Sequence, residues 1–322
     1  MADTSHMDKA QQERHTRLIE QMRRILGSEI CAVFEDPSAV EIMLNDDGKI
    51  LVERHGEGIT HLNTMPAAKA LNLLSLMADY RGVTVSREKP IVEGAMPDEF
   101  LRARFAGAIP PLMPMPTFSI RLPARKIYTL EDYRNNKIIT GDQCDRIIEA
   151  VESRKNILVS GGTSSGKTTL LNAISDAIAS HSGLGQRIVI IEDTREIVCN
   201  APNTVSMLTD ADSEIDMTRL LKLTLRYRPD RIFVGEVRDG AALALLKAWN
   251  TGHPGGLATL HANNPMAALT RLDQLCQEAN VPPQPELIRE AVDLVIQIQR
   301  DPSSPAGRRI THIYDVKQPQ EA

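Results

Sequence analysis

Aromatic residues are scarce in this 322-residue chain: five Phe, five Tyr and a single Trp, 3 % in all. So few ring faces argue against a stacking platform for single-stranded nucleic acid. An excess of positive charge is lacking too, since 37 Lys and Arg stand against 42 Asp and Glu. A surface that tracks nucleic acid along its length is therefore not expected, and no direct sequence-specific nucleic-acid binding is expected either. The four cysteines, Cys31, Cys144, Cys199 and Cys276, lie far apart with no C-x-x-C and no Cys/His cluster. That pattern offers neither a zinc site nor a disulfide framework, and it suits a reducing compartment. No run approaches the ~18 apolar residues that span a bilayer. Residues 1–7 lack the basic-then-apolar order of a secretory signal, and Ser5-His6-Met7 looks like a cloning remnant. With 42 % hydrophobic and 25 % charged residues, the expectation is a cytoplasmic globular protein of about two domains.

Residues 17–26 carry Leu18, Ile19, Met22, Ile25 and Leu26, one apolar face of a helix, with Thr16 placed to cap it and Gly27 to stop it. Two strand-like runs, 39–44 and 49–53, flank Asn45-Asp46-Asp47-Gly48, a hairpin signal because Asp-Gly supplies the positive φ of a tight turn. Thr64 is then placed to cap a second helix through Leu71, Leu74 and Met77, ending near Gly82. A proline-rich stretch over 110–116 precedes a strand at 117–122, and Pro123-Ala124-Arg125-Lys126 reads as a linker. Beyond it, short apolar runs at 157–160, 188–191 and 232–234 alternate with helical patterns, the grammar of a mostly parallel α/β sheet. The expected organisation is a flexible segment 1–14, an α+β domain 15–122, a linker 123–128 and an α/β domain 129–322.

Gly161-Gly162-Thr163-Ser164-Ser165-Gly166-Lys167-Thr168 matches G-x-x-x-x-G-K-[ST], with an apolar strand before it and a helical run at 169–179 after it. Small residues let successive backbone N–H groups turn inward on a polyphosphate, and the following helix adds its positive end. Lys167 is then expected on the β- and γ-phosphates of ATP, or on the β-phosphate of ADP, and the Thr168 hydroxyl on Mg²⁺, with Thr169 next along the loop. Hydrolysis also needs a carboxylate. The strand at 231–234 delivers Glu236 at its carboxyl edge, a candidate for ordering the metal's water shell or the attacking water. A second strand ends in Glu192-Asp193-Thr194-Arg195-Glu196, where Glu192 or Glu196 is a candidate general base; spacing does not choose between them, and a helix-capping cluster is the alternative. In Thr251-Gly252-His253-Pro254-Gly255-Gly256-Leu257-Ala258-Thr259-Leu260-His261, His261 is the candidate γ-phosphate contact, with a satisfied structural histidine as the alternative, and His253 carries the functional reading less well still. Arg226, Arg228, Arg231 and Arg238 surround the Glu236 strand, with surface charge as the default reading of each.

The ordered set 161–168, 191–197, 228–238 and 251–263 resembles the Walker A, Asp, Walker B and His boxes of the secretion ATPase superfamily, which energises type II and type IV secretion, type IV pili and conjugation. The four-cysteine zinc motif of many pilus-assembly members is missing. The Glu that retraction members carry after their Arg-Asp is replaced here, where Arg238-Asp239 runs into Gly240-Ala241-Ala242. The segment 238–253 looks most like the conjugative-transfer members of the type IV secretion branch. The resemblance implies a RecA-like P-loop NTPase domain behind a smaller N-terminal α+β (PAS-like) domain. It further implies a homohexamer, inner-membrane channel components as partners, peripheral attachment at the cytoplasmic face of the bacterial inner membrane, and nucleotide between the domains with Arg104 and Arg121 on the phosphates. A nucleic-acid translocating ATPase and a nucleotide-gated scaffold with little turnover are the two alternatives.

Overall fold

The computed structural model describes residues 9–123, 127–210 and 214–317. The chain divides into two compact units, Met1–Lys126 and Ile127–Ala322. Ser5-His6-Met7 and Ala124-Arg125-Lys126 of the expected linker lie outside the described residues.

Among the described residues, the first unit is an antiparallel sheet with two α-helices and a short 3-10 turn at Asp98–Phe100. Helix α1 (Lys9–Val33) precedes strands β1 (Ala39–Leu44), β2 (Lys49–Arg54) and β3 (Gly58–Thr64); helix α2 (Ala67–Arg81) follows, then β4 (Ile91–Ala95), β5 (Arg104–Ala108) and β6 (Thr117–Arg121). The sheet order is β3-β2-β1-β6-β5-β4. Alternation places Ile42, Leu44, Phe105, Phe118 and Ile120 in one core with Met22, Leu26 and Ile30 of α1 and Leu73, Leu74 and Met77 of α2. The β1–β2 hairpin forms as expected, with Gly48 at φ 81°.

Two expected caps are corrected. Helix α1 starts at Lys9, and the Thr16 hydroxyl, inside it, donates back to the Gln12 carbonyl at 3.0 Å. Residues 9–14 are good helix formers without an apolar stripe, so periodicity alone misses that first stretch. Gly27 does leave the helical region (φ 78°, ψ 170°), but as a kink: the chain resumes and buries Ile30 and Val33. Thr64 closes β3, and α2 starts after Pro66, whose ring fixes the entry φ at −61°. Its left-handed stop at Gly82 is where the sequence places it.

The second unit contains α3 (Leu130–Asn135), α4 (Gly141–Glu152), β7 (Ile157–Ser160), α5 (Lys167–Ser180), β8 (Ile188–Glu192), β9 (Thr204–Leu208) and α6 (Met217–Thr224). These are followed by β10 (Arg231–Val234), α7 (Ala241–Asn250), β11 (Leu257–Leu260), α8 (Pro265–Gln277), α9 (Pro285–Ala291), β12 (Leu294–Arg300) and β13 (Arg308–Asp315). Its sheet runs β13-β12-β7-β11-β10-β8-β9, parallel throughout except for the β12–β13 hairpin. Helices cover both faces. Ile157, Val159, Ile188, Ile190 and Phe233 pack with α3, α4 and α5, whereas Leu158, Val189, Ile191, Ile232 and Val234 pack with α6 to α9. Burial on both sides explains why these strands read as unbroken apolar runs. Helices α3 and α4 open on full capping boxes, Thr129 with Asp132 and Thr140 with Gln143.

Asn156 sets where the central strands begin. Its Oδ1 accepts the Gly256 N–H at 2.8 Å, and its Nδ2 donates to the Ala291 carbonyl at 2.7 Å. Its backbone N–H donates to Asp293 at 2.8 Å. One buried side chain thus fixes the starts of β7, β11 and β12 relative to one another, and so the level at which they end. Replacing it by Leu strands buried peptide groups of two neighbouring segments, each costing about 1–3 kcal/mol. An Asn156→Leu variant is expected to lose about 2–4 kcal/mol, seen as a lower urea midpoint with an unchanged slope.

Candidate active site

Four adjacent strands finish at one edge of this sheet, and each hands over a polar residue there. Strand β7 runs into the glycine loop. Glu192 is the last residue of β8, Glu236 stands two residues past β10, and His261 follows β11 directly. This is the edge at which open parallel sheets bind ligands.

The loop has the backbone its motif demands. Ser164 and Gly166 adopt positive φ, 54° and 98°. A Cβ at Gly161 would collide with the Ile298 carbonyl, so the loop needs glycine to pass that edge of the sheet. Helix α5 begins at Lys167 with left-handed Gly166 as its N-cap and no capping side chain. Its first-turn amides are accordingly directed at whatever the loop encloses. Thr168 and Thr169, half-buried, occupy that first turn. Gly162, Thr163 and Ser164 are exposed at the loop's crest, while Ser165 is buried beneath it.

Lys167 is 7 % exposed. Its ammonium donates to the Gly162 carbonyl at 3.0 Å and lies 3.1 Å from His261 Nδ1. Nε2 of the same ring is 2.9 Å from Glu236 Oε1. Burial and the neighbouring Lys167 charge both hold the His261 pKa below its ordinary value, against the pull of Glu236. A neutral ring that accepts from Lys167 at Nδ1 and donates from Nε2 to Glu236 satisfies both contacts. Burial pushes the Glu236 carboxyl up, but the Arg238 hydrogen bond and the Arg238 and Lys167 charges prevail, so its pKa is lowered and it stays ionised. Arg238 Nη2 meets Glu236 Oε2 at 2.5 Å, and its Nη1 is 3.4 Å from Asp193 Oδ2. Asp193 in turn accepts from the Thr209 hydroxyl at 2.9 Å. Charge therefore alternates along one line from the phosphate loop to the segment after β9.

The two candidate bases part company. Glu192 is 2 % exposed, and one of its oxygens accepts the backbone N–H groups of Glu196 (2.9 Å) and Ile197 (2.7 Å). Its side chain passes Gly235, where a Cβ would stand 3.3 Å from Glu192 Cγ. The carboxylate thus folds the loop after β8 back upon itself. Glu196 is half-buried at the far side of that turn, with its carbonyl held by Asn172 at 2.9 Å.

His261, Lys167 and Glu236 are brought together as the sequence suggests. Arg231 is 3 % exposed and donates to Gln186, Gly255 and Val151, a structural arginine that the default surface reading misses. His253 accepts its structural role by bonding the Pro229 carbonyl at 2.9 Å. Arg104 and Arg121 belong to the first unit, where they stand directly opposite each other on β5 and β6, on the sheet face away from the helices. Three site neighbours escaped sequence reasoning. Gln297, fully buried on β12, donates to the Ala262 carbonyl at 3.1 Å. Arg300 donates to the Ser164 carbonyl at 3.1 Å, and Arg308 lies against Gly166. They sit on a hairpin that carries no motif, and only a register linking 300 to 308 would have pointed to them.

Residues 33–319 match the family described as Type II/IV secretion system protein. The chain belongs to that family. It is 46 % identical over 303 residues to the probable conjugal transfer protein TrbB of Sinorhizobium fredii, covering 94 % of this chain and 91 % of that one. It is 29 % identical over 321 residues to the type IV secretion system protein VirB11 of Bartonella quintana, covering 84 % and 87 %. In fold it matches the pilus retraction motor PilT with bound ADP, at a TM-score of 0.64 and 21 % identity over 90 % of this chain and 83 % of that one. The resemblance stated from the four boxes is thus borne out.

Burial pushes the Glu192 carboxyl up to about 7, against the two backbone N–H bonds that favour its charge. Its folded pKa then lies above the unfolded value of about 4.3, so the folded state holds the extra proton between these values. Stability is expected to fall as pH rises through that window, by on the order of 3 kcal/mol, with the cost fully present above pH 7. Glu192→Gln keeps an acceptor for both N–H groups and removes the charge. Urea midpoints at pH 5 and pH 8 should show the variant gaining on the parent at the higher pH.

Proposed function

We propose that this chain is an Mg²⁺-dependent ATPase that energises type IV secretion in the conjugative branch. The observation that carries the reading is the convergence of Lys167, His261 and Glu236 beside the glycine loop. The family supports nucleotide use and ATP hydrolysis, and the conjugal transfer and type IV secretion relatives support the branch.

In this reading the loop amides and Lys167 hold the phosphates, and the terminal phosphate takes the place of His261 beside the Lys167 ammonium. His261 then moves with the state of that phosphate, while Glu236, freed from its ring N–H, orders the attacking water. Glu196 is the general base. Glu192 is committed to two backbone bonds and buried, so it serves by presenting Glu196 on a fixed turn. The donor set suits Mg²⁺: the Thr168 hydroxyl and the ionised Glu236 are hard oxygen ligands, and this ion binds through one carboxylate plus phosphates and water. Bound there, it would neutralise charge building on the transferred phosphoryl group.

The second unit is read as RecA-like and the first as PAS-like, joined by the linker at 123–128. Arg104 and Arg121, paired across β5 and β6, supply further cations to the nucleotide. A homohexamer is the working assembly, peripheral at the cytoplasmic face of the inner membrane and coupled to channel components there. Among the described residues no helix is long and apolar enough to cross a membrane, so attachment through partner proteins is the reading adopted.

Steady-state ATPase activity measured across protein concentration, with light scattering on the same samples and DNA added in parallel, tests this. Activity rising with hexamer formation and indifferent to DNA is expected. Strong DNA stimulation would favour a nucleic-acid motor, and binding without turnover in the presence of membranes and partners a scaffold. Glu196→Gln and Glu236→Gln should each lower kcat by about 10²–10⁴ while nucleotide binding persists, whereas Glu192→Gln should cost less than tenfold. Lys167→Ala should abolish the rise in Tm that ATP gives the parent.

A further inference from the structure

The β12–β13 hairpin brings two arginines to the phosphate loop that none of the four boxes contains. Arg300 and Arg308 are register partners at the end of this antiparallel pair, so their side chains leave the same face of the hairpin. One donates from Nε to the Ser164 carbonyl, leaving its two terminal nitrogens uncommitted in that bond. The other lies so close to Gly166 that a Cβ there would stand 2.5 Å from its Nη1. Both anchor points are loop residues with positive φ, one inside the motif's variable stretch and the other its second invariant glycine.

Among the described residues neither Arg300 nor Arg308 has a carboxylate within ion-pair distance, although the adjacent Arg309 is paired with Asp301 at 3.1 Å. Arg238, on the other flank of the site, has two carboxylates. One flank of the loop is therefore neutralised in the free protein and the other is left cationic. Guanidinium groups with unspent donors beside a loop of inward-turned amides suit a phosphate oxyanion, which they meet in fork geometry.

Resting on the ATPase reading above, we propose that Arg300 and Arg308 form a cationic jaw for the phosphates that ADP and ATP share. The terminal phosphate already has its own set in Lys167, His261 and Glu236, whose contacts gather at Gly162 and the end of β11. The hairpin arginines attach at Ser164 and Gly166 instead, so their contribution does not depend on the γ-phosphate. Arg300 fixes the crest of the loop through the Ser164 carbonyl while its free nitrogens face the ligand. Gly166, held at φ 98°, leaves open the space that the Arg308 guanidinium occupies.

Binding of ADP and of ATP to the full chain by calorimetry, in parent, Arg308→Gln, Arg308→Lys and Arg300→Gln, tests the jaw. Loss of a charge-assisted phosphate contact should weaken ADP and ATP by the same factor, about tenfold for Arg308→Gln. Arg308→Lys should recover most of that loss. The dependence of the ADP Kd on salt should become shallower in both Gln variants. Equal ADP affinity in parent, Arg308→Gln and Arg308→Lys would overturn the proposal. So would a loss confined to ATP, or one that Lys fails to recover while the Tm of the nucleotide-free variant drops, since the arginine then acts only by holding the loop. If the parent itself binds neither nucleotide, the ATPase reading falls, an outcome distinct from these.

Discussion

A parallel strand buried on both faces has no side chain free for chemistry until it ends. Every residue of β7, β10 and β11 is buried, as is every residue of β8. Reactive groups must therefore come from the segments that follow the strand ends, and their spacing must follow the spacing of the strands. With neighbouring strands about 4.8 Å apart, Lys167, His261 and Glu236 fall within hydrogen-bond reach of their neighbours without any long-range adjustment. Fixing the level of the strand starts, as Asn156 does, is then also a way of fixing the site.

Within the site, the arrangement of charge matters more than any single contact. Lys167 is nearly buried, a condition an ammonium tolerates only with close acceptors; it has the Gly162 carbonyl and a neutral imidazole. Passing from Lys167 through His261 to Glu236, Arg238 and Asp193, each group's neighbour is neutral or of opposite sign. A new anion at Lys167 upsets the first link of that line, and the disturbance reaches Thr209 only through the carboxylates and the guanidinium between. The Asp box is tied to the same centre by a different route, since Glu192 reaches past the side-chain-free Gly235.

Much of the second unit was legible because its physics is local. Double-sided burial writes apolar runs, and the loop motif carries its own flanks; strands at 157–160 and 232–234 and the helix after Thr168 stand where the sequence places them. The first unit was harder. Strand β3 is exposed along nearly its whole length, and β4 and β5 contain glycine, so neither gives clean alternation. Thr16 and Thr64 were misjudged because a threonine before an apolar stripe is a cap only if the helix starts at the next residue: Thr16 lies inside α1, and α2 starts only after Pro66. In the site, Lys167, Glu236 and His261 came from motif spacing. The separate fates of Glu192 and Glu196 did not, because backbone bonds that bury a carboxylate leave no trace in composition. Arg300 and Arg308 were invisible for a similar reason: their shared place depends on a hairpin register.

The single tryptophan of the chain gives the strands that lead to the candidate site an optical reporter. Trp249 donates its indole N–H to the Ile232 carbonyl at 3.2 Å, and its ring covers Gly256, where even a methyl group would overlap it. The indole therefore bridges the start of β10, which leads to Glu236, and the start of β11, which leads to His261. Its emission carries no background from a second tryptophan, so any nucleotide-driven shift between those two strands can be followed in the unlabelled protein by fluorescence alone.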